Sequence, residues 1–363
     1  MLAEVGGADM AVFYLAWEKA RDFCTDTLMQ LGVSAQEAAI CAEGLVEASL
    51  RGVDSHGIAS LPIYAERIHS GQMRPGMNIE VKSEAAAVLL CDGRHGLGPV
   101  VARQAMGRAI AKAAESGIGA VSLVNGNYVG ALAPYALCAA ERGMLGICAA
   151  NSTPRVAPYG GAEGVHGTNP LAYALPMQGG ESLVFDAATG HSAARVVAAR
   201  EEGALLPEGV LVDVAGRPST NPQDLDEGAL LPVGGALGYG IGLLVDLLCG
   251  GLNGGPCGSD VPPVSNLDAP YGCGFFALAI DAAYFGGRDV LAERCAFLAQ
   301  SVHGAHTAEG MNRVRIPGER SLEERRARLK QGIPFTKKRW QAVLQRLSAC
   351  AVDVDRWQQE SLA

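Results

Sequence analysis

Two stretches that read only as helices enclose a middle stretch in which short apolar strands alternate with amphipathic helices. This change of period limits the fold more than any other feature of the chain. From about residue 85, strand candidates cover 87–91, 119–124, 145–150, 171–175, 183–186 and 275–281. Helix candidates cover 99–115, 131–142 and 240–252. Apolar period 2 alternating with period 3.6 is the pattern of helices layered on a sheet. Before it, residues 12–51 read as helical and a further helix covers 61–68. After it, helices are expected at 289–302, 322–330 and 336–350. The expected architecture is α/β, with a mixed α/β part inserted between N- and C-terminal helical segments that pack on each other. The parts are expected at 1–84, 85–286 and 287–363.

Composition supports a large core, with 49% apolar and 18% charged residues in a chain of 363. The net charge of -9 and the absence of a basic stripe argue against a nucleic-acid partner. An anionic small-molecule substrate would then need cations placed locally. Ten cysteines are scattered without a C-x-x-C pair. That usage suits a reducing cytoplasm better than a disulfide framework or a zinc site. The N-terminal residues lack the basic start of a signal peptide. The most membrane-like stretch, 234–252, is interrupted by Asp246 and studded with glycines, so it reads as a buried helix and not a span.

The stretch Arg51-Gly-Val-Asp-Ser-His-Gly57 follows a strong helix. Ser34 and Glu37 form a capping box that starts this helix, and Gly52 is a plausible stop. His56 is thereby placed at a helix exit. Histidine titrates nearest to neutrality, so it can give or take a proton there. The plainer reading is a turn whose histidine bonds only locally. Glycine-rich turns at 160–170, 185–189, 231–235 and 315–319 could present amides to phosphate or carboxylate, although each can equally be only a turn. No G-x-G-x-x-G follows a strand, and no P-loop, H-E-x-x-H or G-x-S-x-G occurs. No metal site is expected.

Taken in order, Asp54-Ser-His-Gly57, Asn151-Ser152, Val156-Ala-Pro-Tyr-Gly160 and Gly167-Thr-Asn-Pro-Leu-Ala172 resemble the malate/L-lactate dehydrogenase family of the non-Rossmann type. Phe185-Asp-Ala-Ala-Thr189, Leu206-Pro-Glu-Gly209, Asp213-Val-Ala-Gly-Arg-Pro218, Leu231-Pro-Val-Gly-Gly235 and Pro317-Gly-Glu319 continue the succession. The family also includes ureidoglycolate, sulfolactate and diketogulonate enzymes and reductases of cyclic imino acids. The resemblance implies an unusual mixed-sheet nicotinamide-binding domain, a homodimer, and hydride transfer between NADH or NADPH and C2 of a 2-oxo or 2-imino acid. It implies that His56 is the catalytic histidine and Asp186 its partner. A nearby carboxylate would raise the imidazole pKa and orient the ring. Thr168 and Asn169, then Asp186, Ala187, Ala188 and Thr189, then Leu237 and Gly238, then Gly318, Glu319 and Arg320 match cofactor-contacting segments. Arg51, Ser55, Ser60 and Tyr128 are the candidate substrate-binding residues.

The chain departs from the family at three of these positions. Ser60 stands where an arginine is usual, Tyr128 where a histidine often sits, and Leu237 replaces the lysine of a G-G-x-K-G segment. Serine cannot replace the bidentate grip of arginine on a carboxylate. His191, Arg155 and Arg195 are candidate replacements near the motifs. The departures point to a changed substrate, or alternatively to a relative that has lost redox activity and serves as a non-redox catalyst or binding protein.

Overall fold

A computed structural model describes residues 12–358. The N-terminal stretch read for a leader begins outside the described residues. The chain forms two compact units, 1–77 with 318–363, and 78–317.

Along the chain the elements begin with β1 (Val12–Leu15), α1 (Trp17–Gln30), α2 (Ala35–Leu50), α3 (Leu61–His69), β2 (Glu80–Glu84), β3 (Val88–Asp92) and α4 (Gly98–Ser116). There follow β4 (Ile118–Val124), α5 (Ala133–Ala140), β5 (Met144–Ala150), β6 (Leu171–Pro176), β7 (Ser182–Ala187) and α6 (Ala193–Glu202). Next come β8 (Leu211–Val212), β9 (Pro218–Ser219), β10 (Ala229–Leu230), α7 (Ala236–Cys249), β11 (Phe275–Asp281) and α8 (Arg288–His303). The last are α9 (Glu319–Gln331), β12 (Ile333–Thr336), α10 (Lys337–Ala349) and α11 (Asp355–Gln358).

In the first unit, β1 pairs antiparallel with β12, Val12 opposite Thr336 and Leu15 opposite Ile333. Trp340 is fully buried, its ring 4.8 Å from that of Phe23 and 5.2 Å from that of Phe335. Residues 12–51 are not one helical stretch. The alternating Val12-Phe-Tyr-Leu15 is a strand, and Gly32, at φ +82°, turns the chain between α1 and α2. A left-handed backbone there favours glycine. Ser34 caps α2 by accepting the Glu37 amide, and its hydroxyl donates to the Glu37 carboxylate at 2.9 Å.

The second unit is built on a seven-stranded sheet of order β2-β3-β4-β11-β5-β6-β7, in which only β3 and β4 run parallel. α4 and α5 pack on one face through alanine-rich surfaces (Ala105, Ala109, Ala113, Ala136, Ala139) over Val121, Leu123, Cys148 and Ala277. Gly119 and Gly146 permit the close approach, since a Cβ there would strike the carbonyls of Ala109 and Ala136. α7 packs on the opposite face, with Val245 and Cys249 against Ala149, Leu171 and Phe276.

Three expectations need correction. α8 belongs to the second unit and not to the C-terminal helices, so the boundary expected near 286 lies at 317 and the earlier one, expected at 84, at 77. The reason is local: Arg288 grips the buried Asp281 at 2.5 and 2.7 Å, and the Gln178 amide donates to the Ala292 carbonyl. The stretch expected as a buried helix is long and apolar enough to cross a membrane, yet only 33% of it is buried in the protein. Leu237, Leu243, Leu244, Leu247 and Leu252 are exposed along it. Asp246 is buried beneath, accepting from Asn151 and from the Gly258 amide. All ten cysteines are free thiols. Among the described residues no cluster of three or more His, Cys, Asp or Glu could hold a metal.

Candidate active site

His56 lies in the first unit on the turn that leaves α2. Its Nδ1 is 2.9 Å from the Ser55 hydroxyl. The turn is fixed from several sides. The His56 amide donates to the Val53 carbonyl, and the Ser49 hydroxyl accepts the Ile58 amide at 3.0 Å. A Cβ at Gly57 would strike that same Ser49 hydroxyl, so the histidine must be followed by glycine. Ser60 is buried and its hydroxyl donates to the Gly57 carbonyl at 2.7 Å. The residue that stands where an arginine is usual therefore braces the turn. Arg51 bonds Glu47 through Nε at 2.7 Å, and Arg325 holds the same carboxylate.

His56 is half-buried, and the loss of water around the imidazole pushes its pKa below the usual 6.5. The expected rise through a carboxylate is thus reversed, because burial of the charged form dominates. His56 is set to be neutral at pH 7.

Asp186 ends β7 in the second unit. Its Oδ2 accepts the amides of Leu132 and Ala133, each at 2.8 Å. These amides begin α5, where the helix dipole favours an anion. Part of the side chain is open to solvent, but the surrounding protein strips enough water to push the carboxyl above its usual range, against the downward pull of the two amides. The loop that reaches Leu132 carries Tyr128, whose carbonyl sits where a Cβ on Gly98 would go.

The second unit also gathers segments far apart in sequence. The Thr189 hydroxyl donates to the carbonyls of Thr168 and Asn169, both at 3.1 Å. The Asn169 side chain donates to the Gly242 carbonyl on α7 and accepts the Ser152 amide. Asn169 itself is held at φ +33°, a conformation rare for a residue with a side chain. The Val233 amide donates to the Thr189 carbonyl, and a Cβ at Gly238 would strike the Val233 carbonyl. The structure thus joins Thr168, Asn169, Thr189 and Gly238 in one knot, with Leu237 exposed at the rim. Asp186, Ala187 and Ala188 lead into this knot. Gly318, Glu319 and Arg320 lie in the other unit, at the start of α9.

The knot suits a dinucleotide at one point. α7 begins at Gly234-Gly235 with no side-chain cap, and a Cβ at Gly234 would meet nothing within 4 Å. Uncapped amides at a helix start are donors for phosphate. His191 accompanies the knot, its amide donating to the Leu231 carbonyl, and burial with help from Arg195 lowers its pKa. Arg195 is exposed on α6, which begins with Ser192 accepting the Arg195 amide. Arg155 lies in the strand-like bridge to His166.

The sequence reading missed Ser49, Asp54 and Arg328. Arg328, buried on α9, holds the Asp54 carboxylate at 2.6 and 3.1 Å and the Ser49 carbonyl at 2.6 Å. Only the arginine-rich run 325–328 hinted at a role for that helix.

Comparison with known proteins agrees with the fold. Residues 15–344 match the family model of malate/L-lactate dehydrogenase. A malate dehydrogenase of Pyrococcus horikoshii is 36% identical, over 92% of this chain and 95% of that protein. Its solved structure superposes with a TM-score of 0.87 at 32% identity over 97% of this chain and 99% of its own. An NAD(+) ureidoglycolate dehydrogenase of Escherichia coli K12 is 34% identical over 85% of this chain and 89% of its own. The structure of a Δ1-piperideine-2-carboxylate reductase from Pseudomonas syringae superposes with a TM-score of 0.81 at 30% identity, covering 93% and 99% of the two chains. The fold, the order of motifs and these likenesses together place the chain in the malate/L-lactate dehydrogenase family.

Proposed function

We propose that the protein is an NAD(P)H-dependent oxidoreductase that exchanges hydride with C2 of a small 2-oxo acid or cyclic 2-imino acid. The observation that carries this is His56, a histidine kept neutral on a braced turn in a chain of dehydrogenase kinship. A nicotinamide, when bound, would supply or take the hydride; in the second unit the Thr168–Asn169 and Thr189 knot and the start of α7 are the segments that would hold it, and Gly318–Arg320 are the candidate segment of the first unit. Ser55 engages Nδ1 of His56 and helps to orient the ring, which exchanges a proton with the substrate oxygen or nitrogen. A neutral imidazole accepts the proton of a hydroxyl or amine as C2 is oxidised, and returns it on reduction. Asp186 fixes the start of α5 through its two amide bonds and is the proposed carboxylate partner of the reaction.

Ser60 and Leu237 each stand where the family pattern has a cation, which favours a substrate less charged or larger than malate. The likeness to a piperideine-2-carboxylate reductase supports a cyclic imine as one such substrate. A relative without redox activity is the less favoured reading, since the family match spans nearly the whole chain. We place the enzyme in the cytoplasm as a homodimer. Ten free thiols support the first, and the exposed leucine row of α7, long for a surface in water, supports a second copy covering it.

The test is titration with NADH and NADPH followed by nicotinamide fluorescence, then a panel of 2-oxo acids and cyclic imines. Binding and turnover are expected. A folded protein that binds neither nucleotide overturns the proposal.

A further inference from the structure

We infer that Arg328 is a positioning residue for His56, acting through the carboxylate of Asp54. The inference rests on the assignment of proton transfer to His56. Arg328 reaches the turn from α9 and makes a two-pronged contact, Nη1 to Asp54 Oδ1 at 2.6 Å and Nη2 to Oδ2 at 3.1 Å. The same Nη1 donates to the Ser49 carbonyl at 2.6 Å, and Nε donates to Glu324 at 2.6 Å. Four donor contacts on one guanidinium fix its plane. Arg339, from α10, adds a bond from its guanidinium to the Asp54 carbonyl at 2.9 Å. Asp54 is two residues before His56 and cannot move without moving it.

The geometry is more than a surface ion pair. Arg328 is 9% exposed, and burial of its charge is outweighed by the bonds to Asp54 and Glu324, so its pKa is raised. It reads three things at once: where α2 ends (Ser49), where the turn lies (Asp54) and where α9 runs (Glu324). Ser49 in turn holds the Ile58 amide on the far side of the histidine. His56 is therefore gripped before and after, with Arg328 touching both grips. A lysine in its place would keep the charge and lose the fork.

The experiment compares wild type, Arg328→Lys and Asp54→Asn in the full chain. The first readout is turnover with NADH and the best substrate of the panel. kcat is expected to fall roughly tenfold to a hundredfold with the NADH KM unchanged, the scale of a slightly misplaced catalytic group. Combining the two substitutions should cost less than the sum of their single effects, because both break the Arg328–Asp54 contact. The second readout needs no substrate: the pH midpoint for acylation of His56 by diethyl pyrocarbonate, followed by peptide mass spectrometry. Loosening the turn hydrates the ring, so the midpoint should rise toward the usual 6.5 in both variants. A folded Arg328→Lys with wild-type kcat and an unmoved midpoint overturns the inference. If that variant does not fold, Asp54→Asn decides by the same readouts. If wild type turns over no substrate, the proposed activity fails, while the acylation midpoint still tests the role of Arg328.

Discussion

The Oδ2 atom of Asp186 lies 2.8 Å from the amide nitrogen of Ala133, so the end of a strand supplies the anion at the start of a helix. Asp186→Ala removes that acceptor from two amides and should cost about 1–3 kcal/mol. Thermal unfolding measures it. The sign with pH also follows. The folded pKa is raised above the usual carboxylate value of 3.8, so the ionised group costs stability as pH rises through that interval. Asp186→Asn should therefore lose this part of the pH dependence, and an unaltered stability-against-pH curve would count against the assignment.

His56 has its pKa lowered from 6.5, so the neutral form persists into mildly acid solution. In the proposed role of His56, oxidation of the hydroxy or amino acid uses the neutral ring, and its rate should fall only below the usual histidine midpoint. Reduction needs the protonated ring and should quicken as pH drops. His56→Ala should reduce both by about two orders of magnitude while NADH binding persists. pH–rate profiles in each direction decide this.

Gly242 is the point where α7 passes His166 and Thr189. A Cβ there would lie 3.0 Å from His166 Cε1 and from the Thr189 hydroxyl. Both neighbours are buried and cannot easily give way. Gly242→Ala should destabilise by roughly 1–3 kcal/mol through overpacking. Because the Thr189 hydroxyl anchors Thr168 and Asn169, nucleotide affinity should weaken with it. Calorimetric titration with NADH checks the second effect.

Leu237 is 71% exposed, so its replacement should leave folding within about 0.5 kcal/mol of wild type. Leu237→Lys restores a cation beside the knot and should tighten binding of nucleotide or anionic substrate. Leu244→Glu and Leu247→Glu test the proposed homodimer at the other end of the same row: if that row is its interface, both should shift sedimentation from dimer toward monomer.

Much of the fold was legible because its elements carry strong periods. β11 was read to the residue and α4 to within one, since their apolar faces are long. β2 escaped because Glu80-Val-Lys-Ser-Glu84 is an exposed edge strand with no apolar face to announce it. The two-residue strands β8, β9 and β10 are too short to show any period. At the site, His56 and the Thr168–Thr189 segments stood out as motifs. The bond from Arg328 to Asp54 could not, since a pairing between residues so distant in sequence leaves no local pattern.

The antiparallel pair of β1 and β12 has a consequence for biosynthesis. Val12 emerges from the ribosome early and its partner Thr336 late. At translation rates of about 5–20 residues per second the wait is on the order of tens of seconds. The second unit is one continuous run of chain and can close during that interval. The first cannot, because Trp340, which covers Phe23, has not yet been made. The turn that bears His56 likewise waits for Arg328. A nascent chain therefore holds an exposed aromatic surface and an unbraced His56 turn until α9 and α10 arrive.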